Sequence, residues 1–324
     1  MRCELAKYGA ILVVMIAFAG GAEAGCACGG GGSSSGISGT WSGQSWLGDS
    51  MSQESGESAT STGTEAETVV EGSEVVSDQN DNIGYSFISS QELEEILEEE
   101  TKPVIAYVSN TPPQNSSYID GSINLPSDNF IQEDDSGNET LKSVSDLAGV
   151  LGSAGINEED AVVLYGDCFS CGDSTFVFWV MSYLGHQNVQ ILKGPATGLS
   201  TASSTTTKPA AIYLDDPVPE LLADYESVAA GEFVIVDART PDKFAAGHID
   251  GAVNIDYSRV IDGDWIKDDS ALTEIFIDLD PERPVVVYSD DVREASIVWS
   301  ALQHLGYDAR LYTWNDWLRH QPAV

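Results

Sequence analysis

Beyond residue 84 the chain alternates two hydrophobic patterns. Short unbroken apolar runs come first: Val104-Ile-Ala-Tyr-Val108, Ala161-Val-Val-Leu-Tyr165, Val234-Ile-Val-Asp-Ala238 and Pro284-Val-Val-Val-Tyr288. Stretches with helical spacing stand among them, such as Ser90-Gln-Glu-Leu-Glu-Glu-Ile-Leu97 and Pro219-Glu-Leu-Leu-Ala-Asp-Tyr225. A run without polar alternation predicts a strand buried on both faces. Several such strands with helices between them predict a parallel sheet covered on each side.

The pattern is written twice. Ile119-Asp-Gly-Ser-Ile-Asn-Leu125 returns as Ile249-Asp-Gly-Ala-Val-Asn-Ile255, 130 positions later, and Tyr183-Leu-Gly185 returns as His304-Leu-Gly306. A period of this length marks duplicated domains rather than solenoid units. Two α/β domains are therefore expected, at 84–203 and 217–324, joined by the Ser/Thr/Pro segment Ser200-Thr-Ala-Ser-Ser-Thr-Thr-Thr-Lys-Pro209. Phe176, Phe178 and Trp179 fall at helical spacing and are expected in the core, and His186, after Leu184-Gly185, is expected to cap a helix C-terminus.

The N-terminal part reads differently. Arg2 and Lys7 precede the 13-residue apolar run Tyr8–Gly20, the length of a signal-peptide core and too short to span a bilayer. Residues 1–25 are thus expected to be a signal peptide, and two cleavage readings stand open. Ala22-Glu23-Ala24 suits ordinary secretion. Ala24-Gly25-Cys26 resembles a bacterial lipobox with Cys26 as the lipidated residue, although Glu23 departs from the usual apolar position. Residues 26–83 are rich in Gly, Ser, Thr and Glu and contain no Lys or Arg, so a disordered linker is expected there. Either cleavage puts the mature protein outside the cytoplasm, in the periplasm or cell envelope.

Several marks of the second copy occur together and in order: Val234-Ile-Val-Asp-Ala-Arg239, Phe244, Gly247-His-Ile-Asp-Gly-Ala-Val-Asn254, Val285-Val-Val-Tyr288 before a loop and helix, Leu305-Gly-Tyr307, and Trp314-Asn-Asp-Trp317. In this combination they resemble the rhodanese domain, over nearly all of 217–324. The first copy matches more weakly in the same order, so the whole resembles the tandem sulfurtransferases of the thiosulfate and 3-mercaptopyruvate type. The resemblance implies a cysteine thiolate in a strand-to-helix loop that carries sulfane sulfur as a persulfide. It implies as partners a small anionic sulfur donor and a thiol or cyanide-like acceptor. Orphan N–H groups at a helix start lower a thiol's pKa and suit such an anion.

In the second copy the position implied for that cysteine is Ser289, followed by Asp290, Asp291 and Glu294, so this loop is degenerate for sulfur transfer. The first copy has Tyr165-Gly-Asp-Cys-Phe-Ser-Cys-Gly-Asp-Ser-Thr175. Counting back from Gly185 aligns Cys168 with Ser289, whereas counting forward from Tyr165 aligns Gly166 with it. Cys168 is the candidate nucleophile, with Cys171 as a resolving or accessory thiol and the amides of Phe169, Ser170, Gly172, Asp173 and Ser174 as an anion cradle. A Cys168–Cys171 disulfide and a thioredoxin-like dithiol remain open for the same motif. Asp237 and Arg239 read as a structural ion pair or a substrate clamp. No second Cys/His pair stands at ligand spacing in either domain, so neither metal nor cofactor is expected.

Charge narrows the partners. The 324 residues carry 52 acidic and 14 basic side chains, a net charge of −38. Nucleic acid is excluded as a main partner because binding it requires Lys and Arg to displace counterions. Any membrane attachment would run through lipidated Cys26. A monomer is expected. A non-catalytic binding or redox-sensing module is the competing functional reading.

Overall fold

The computed structural model describes residues 86–134 and 137–321. The expected signal peptide and the whole expected linker, Cys26 included, lie outside the described residues. Among the described residues no helix is long and apolar enough to cross a membrane.

The first half runs β1 (Ser86–Ser89), α1 (Ser90–Leu97), β2 (Val104–Tyr107), β3 (Tyr118–Ile119), β4 (Ile123–Asn124), β5 (Ile131–Glu133), β6 (Glu139–Leu141), α2 (Val144–Ser153), β7 (Val162–Tyr165), α3 (Asp173–Tyr183), β8 (Val189–Lys193) and β9 (Thr201–Ala202). Its sheet has the order β1-β8-β7-β2-β4, with every pairing parallel. All four residues of β2 and of β7 are buried, because helices cover both faces of the sheet. Ser89 caps α1 through a capping box with Glu92, which fixes where the strand gives way to the helix.

The second half runs α4 (Tyr225–Ala229), β10 (Val234–Asp237), α5 (Pro241–Ala246), β11 (Val253–Asn254), β12 (Ile261–Asp262), β13 (Trp265–Ile266), α6 (Asp269–Ile275), β14 (Val285–Ser289), α7 (Val292–His304), β15 (Ala309–Thr313) and α8 (Trp314–His320). Its parallel sheet has the order β11-β10-β14-β15, the same sequence of positions as β4-β2-β7-β8. The outer place that β1 holds in the first sheet is reduced here to a single bridge, Leu222 to Leu311.

The duplication extends to residue pairings. Ala106 pairs with Ile123 and Tyr107 with Asn124, while Val236 pairs with Val253 and Asp237 with Asn254. Each Ile-Asp-Gly turn is held the same way: the Ile119 amide donates to the Tyr165 hydroxyl (3.0 Å), and the Ile249 amide to the Tyr288 hydroxyl (3.2 Å). The halves meet along α3 and α7. Thr175 and Ser296, each ten positions before the glycine that follows its helix, share a 2.8 Å hydrogen bond, so equivalent residues face each other across the junction. Phe178 and Trp299 lie in the core beside it, 6.0 Å apart.

The joining segment is a strap on the first half. Thr206 donates its amide to Ser122, Ala211 to Gly152, Asp216 to Leu184 and Val218 to Tyr183. Gly185 makes this close approach feasible, since a Cβ there would lie 2.2 Å from the Asp216 carbonyl oxygen. His186 departs from its expected capping role because the strap buries it. Its Nε2 lies 2.9 Å from the Asp160 carbonyl and its Nδ1 3.1 Å from the Tyr213 hydroxyl. Burial holds its pKa below the ordinary histidine value.

Candidate functional site

Each sheet delivers one strand-to-helix loop from its central β7 or β14 strand. Tyr107 pairs with Tyr165 and Asp237 with Tyr288, so Tyr165 and Tyr288 are equivalent and Gly166 takes the strand position of Ser289. From there the loops diverge. In the second half Asp290 and Asp291 alone separate β14 from α7. In the first half residues 166–172 intervene, and Phe169–Cys171 form a 3-10 turn before α3 begins. The extra residues are absorbed in this turn, which carries both cysteines.

Cys168 is half-buried and Cys171 exposed, and they are joined by a disulfide with Cα atoms 5.4 Å apart. The Ser170 hydroxyl lies 3.2 Å from Cys168 Sγ. Phe169 anchors the turn by burying its ring near Phe87. Gly172 adopts the left-handed conformation (φ 77°), and a Cβ there would lie 2.6 Å from the Arg293 carbonyl oxygen. Both features require glycine.

The amide cradle is smaller than the sequence suggests. The Gly172 amide donates to the Phe169 carbonyl, and the Gly172 carbonyl accepts from Phe176 N and Thr175 Oγ1. Gly172, Asp173 and Ser174 are buried at the junction of the halves, which removes Gly172 from the cradle and shields the other two. Phe169 and Ser170 remain beside Cys168. Asp173 acts instead through its side chain: its Oδ1 accepts from Ser127 Oγ (2.5 Å), Asn110 Nδ2 (3.3 Å) and Arg293 Nε (3.3 Å). Burial raises its pKa, against the opposing pull of Ser127 and Arg293.

Arg293 was not singled out from the sequence. It leaves the second loop and enters the first half, pairing with Asp173, closely with Asp128, and with Glu139 at 3.6 Å. No local pattern announces these three pairings, because Asp173, Asp128 and Glu139 lie more than 100 positions away.

The second loop is closed around its hydroxyl. Ser289 is buried and donates to Glu294 Oε2 (2.7 Å), while Asp290 pairs with Lys243 (2.9 Å). Burial raises the Glu294 pKa. A cavity of about 70 Å³ beside Ser289 and Asp290 is walled by Ile131, Leu141, Phe176 and Trp179, space on the scale of a few waters. A cleft of about 430 Å³ opens at the first loop, lined by Gly166 and Asp167 and, across it, by Asp264 and Trp265.

Asp237 and Arg239 form a buried bidentate pair, with Arg239 Nε 2.9 Å from Oδ1 and a nitrogen of its fork 2.5 Å from Oδ2. The Tyr288 hydroxyl donates to the same Oδ2 (2.5 Å), and Trp314 lies 4.0 Å from the guanidinium carbon. Arg239 Nε and one fork nitrogen are thereby engaged inside the protein, the latter also with the Gly247 carbonyl (2.7 Å). The first-half counterparts of the pair are Tyr107, hydrogen-bonded to the Thr111 carbonyl, and Ser109, which accepts from the Asp167 amide.

Comparisons place this architecture. Residues 220–319 match the family described as the rhodanese-like domain. A thiosulfate sulfurtransferase of Corynebacterium glutamicum is 26% identical over 212 residues, covering 53% of this chain and 69% of the relative. Among solved structures, the 3-mercaptopyruvate sulfotransferase SseA of Escherichia coli superposes with a TM-score of 0.62 at 20% identity, covering 70% of this chain and 97% of SseA. Tum1 of Saccharomyces cerevisiae gives 0.63 at 18% identity, covering 73% and 96%. With these matches and a parallel sheet flanked by helices in each half, residues 220–319 are a rhodanese-like domain and the chain shares the fold of two-domain rhodanese sulfurtransferases.

Proposed function

We propose that the protein is an exported sulfurtransferase that carries sulfane sulfur as a persulfide on Cys168. The donor is a small anion of the thiosulfate or 3-mercaptopyruvate type, and the acceptor a thiol or cyanide-like nucleophile. The observation that carries this reading is the distribution of thiols: among the described residues cysteine occurs only in the first strand-to-helix loop, and the corresponding second loop presents Ser289. A hydroxyl cannot hold a persulfide, and Asp290 and Glu294 would repel an anionic donor. Relatives named as thiosulfate sulfurtransferases support the same chemistry.

The Cys168–Cys171 disulfide favours a second reading, a rhodanese-fold module that senses redox state or binds a partner. Cyanide discharge separates the two. Reduced protein is loaded with thiosulfate or 3-mercaptopyruvate, freed of donor and treated with cyanide. Thiocyanate is expected from Cys171→Ser, which keeps Cys168 as a lone thiol, and none from Cys168→Ser. Thiocyanate from Cys168→Ser but not from Cys171→Ser would move the carrier to Cys171. No thiocyanate from either reduced single-cysteine variant with either donor would leave the redox or binding module standing.

The proposal extends to location. Cys26 as a lipid anchor, followed by the Gly/Ser tether, would hold the domains at the cell envelope. Cys26→Ser should then move the protein from the membrane fraction to the soluble fraction, whereas unchanged partition would favour cleavage at Ala24.

A further inference from the structure

The two cysteines of the first loop differ in access and lie within bonding reach of each other. Cys168 is half-buried, with the Ser170 hydroxyl 3.2 Å from its sulfur, and Cys171 is exposed at the other end of one 3-10 turn. A persulfide on Cys168 would therefore be shielded from bulky external acceptors while lying next to an internal thiol. Resting on the reading of Cys168 as the sulfur carrier, we propose a further activity: Cys171 resolves the Cys168 persulfide within the chain, releasing hydrosulfide, and an external dithiol resets the loop through exposed Cys171.

The steps balance. The Cys168 thiolate attacks the outer sulfur of thiosulfate, the sulfur–sulfur bond of the donor breaks, and sulfite leaves. Cys168 then bears a persulfide anion. The sulfur of Cys171 attacks Cys168 Sγ, the bond from Sγ to the sulfane sulfur breaks, and its electron pair leaves on that sulfur. The Cys171 proton goes to the departing sulfur, which becomes hydrosulfide, and the Cys168–Cys171 disulfide forms. The sulfane sulfur is reduced and the two thiols are oxidised. A dithiol reductant next attacks the accessible Cys171 sulfur, expels the Cys168 thiolate, closes its own disulfide and restores both thiols. The disulfide seen in the structure is then the product of one turnover and the substrate of the reductant. Single-cysteine carriers lack this route, since their persulfide waits for an outside nucleophile.

The test uses the whole chain, reduced with dithiothreitol, freed of reductant without oxygen, and given thiosulfate alone. Released sulfide is measured by methylene blue formation and free thiols by titration. The expected result is a burst of about one sulfide per chain with loss of both loop thiols, since each turnover consumes one dithiol. Fresh dithiothreitol should then restore steady release. In Cys171→Ser, whose side chain is exposed and free to change without disturbing the core, the persulfide should accumulate and the sulfide burst vanish. A persulfide that persists on wild-type protein with no sulfide and no disulfide would overturn internal resolution while leaving Cys168 as carrier. Failure of both wild type and Cys171→Ser to take up sulfur would overturn the carrier reading and this inference together.

Discussion

Single residues show how the two copies differ. The second keeps Asp237, Arg239 and Tyr288 as a buried, mutually satisfied group. Arg239→Ala would leave the Asp237 carboxylate buried without its counter-ion, a change that costs about 3–5 kcal/mol. Urea denaturation should show that loss, and a cost within about 0.5 kcal/mol of zero, usual for surface changes, would remove the pair from the structural role assigned here. His186 supplies a pH signature. Its folded pKa is depressed, so below the unfolded-chain value of 6.5 the unfolded state takes up the proton first. Its contribution to stability is present above that value and is lost as pH falls toward the folded pKa. His186→Gln should therefore flatten the decline in stability between about pH 7 and about pH 5. An unchanged slope would mean that His186 titrates alike in both states.

At the level of elements, the junction of α3 and α7 governs how the first loop is held. Gly172 is its tightest point, and Gly172→Ala brings both a left-handed residue and a Cβ against the Arg293 backbone. A loss of more than about 1 kcal/mol is expected from the backbone conformation alone, with the contact adding to it. Thermal unfolding would register it, and an unshifted midpoint would show that the junction yields freely. The same elements separate what the sequence discloses from what it hides. Buried parallel strands were legible because an unbroken apolar run such as Val285–Tyr288 has few other uses, and the Ile-Asp-Gly repeats gave the equivalence of β4 and β11. The 3-10 turn at Phe169–Cys171 was hidden, since counting from Tyr165 and from Gly185 gives different registers and only coordinates show where the extra residues go. Arg293 and the strap over His186 were hidden for another reason: each depends on partners remote in sequence, and local patterning carries no trace of them.

For the whole molecule, charge is the dominant property. A net charge of −38 destabilises the compact state through self-repulsion and opposes the approach of an anionic donor. Both effects weaken as salt shortens the screening length from about 30 Å at 0.01 M to about 8 Å at 0.15 M. Stability and the rate of persulfide formation should therefore rise together as salt is raised over that range, the opposite of an enzyme that steers its substrate with a basic cleft. A rate that falls with salt would point to a local cationic guide for the donor. The proposed chemistry rests on one sulfur atom, that of Cys168, and mass mapping of reduced protein exposed to thiosulfate tests it directly. In Cys171→Ser, where the persulfide is not resolved within the chain, the peptide containing Cys168 should gain one sulfur, and in Cys168→Ser that gain should be absent. Reduced Cys171→Ser protein whose Cys168 peptide stays unmodified with both thiosulfate and 3-mercaptopyruvate would contradict sulfur transfer through this loop.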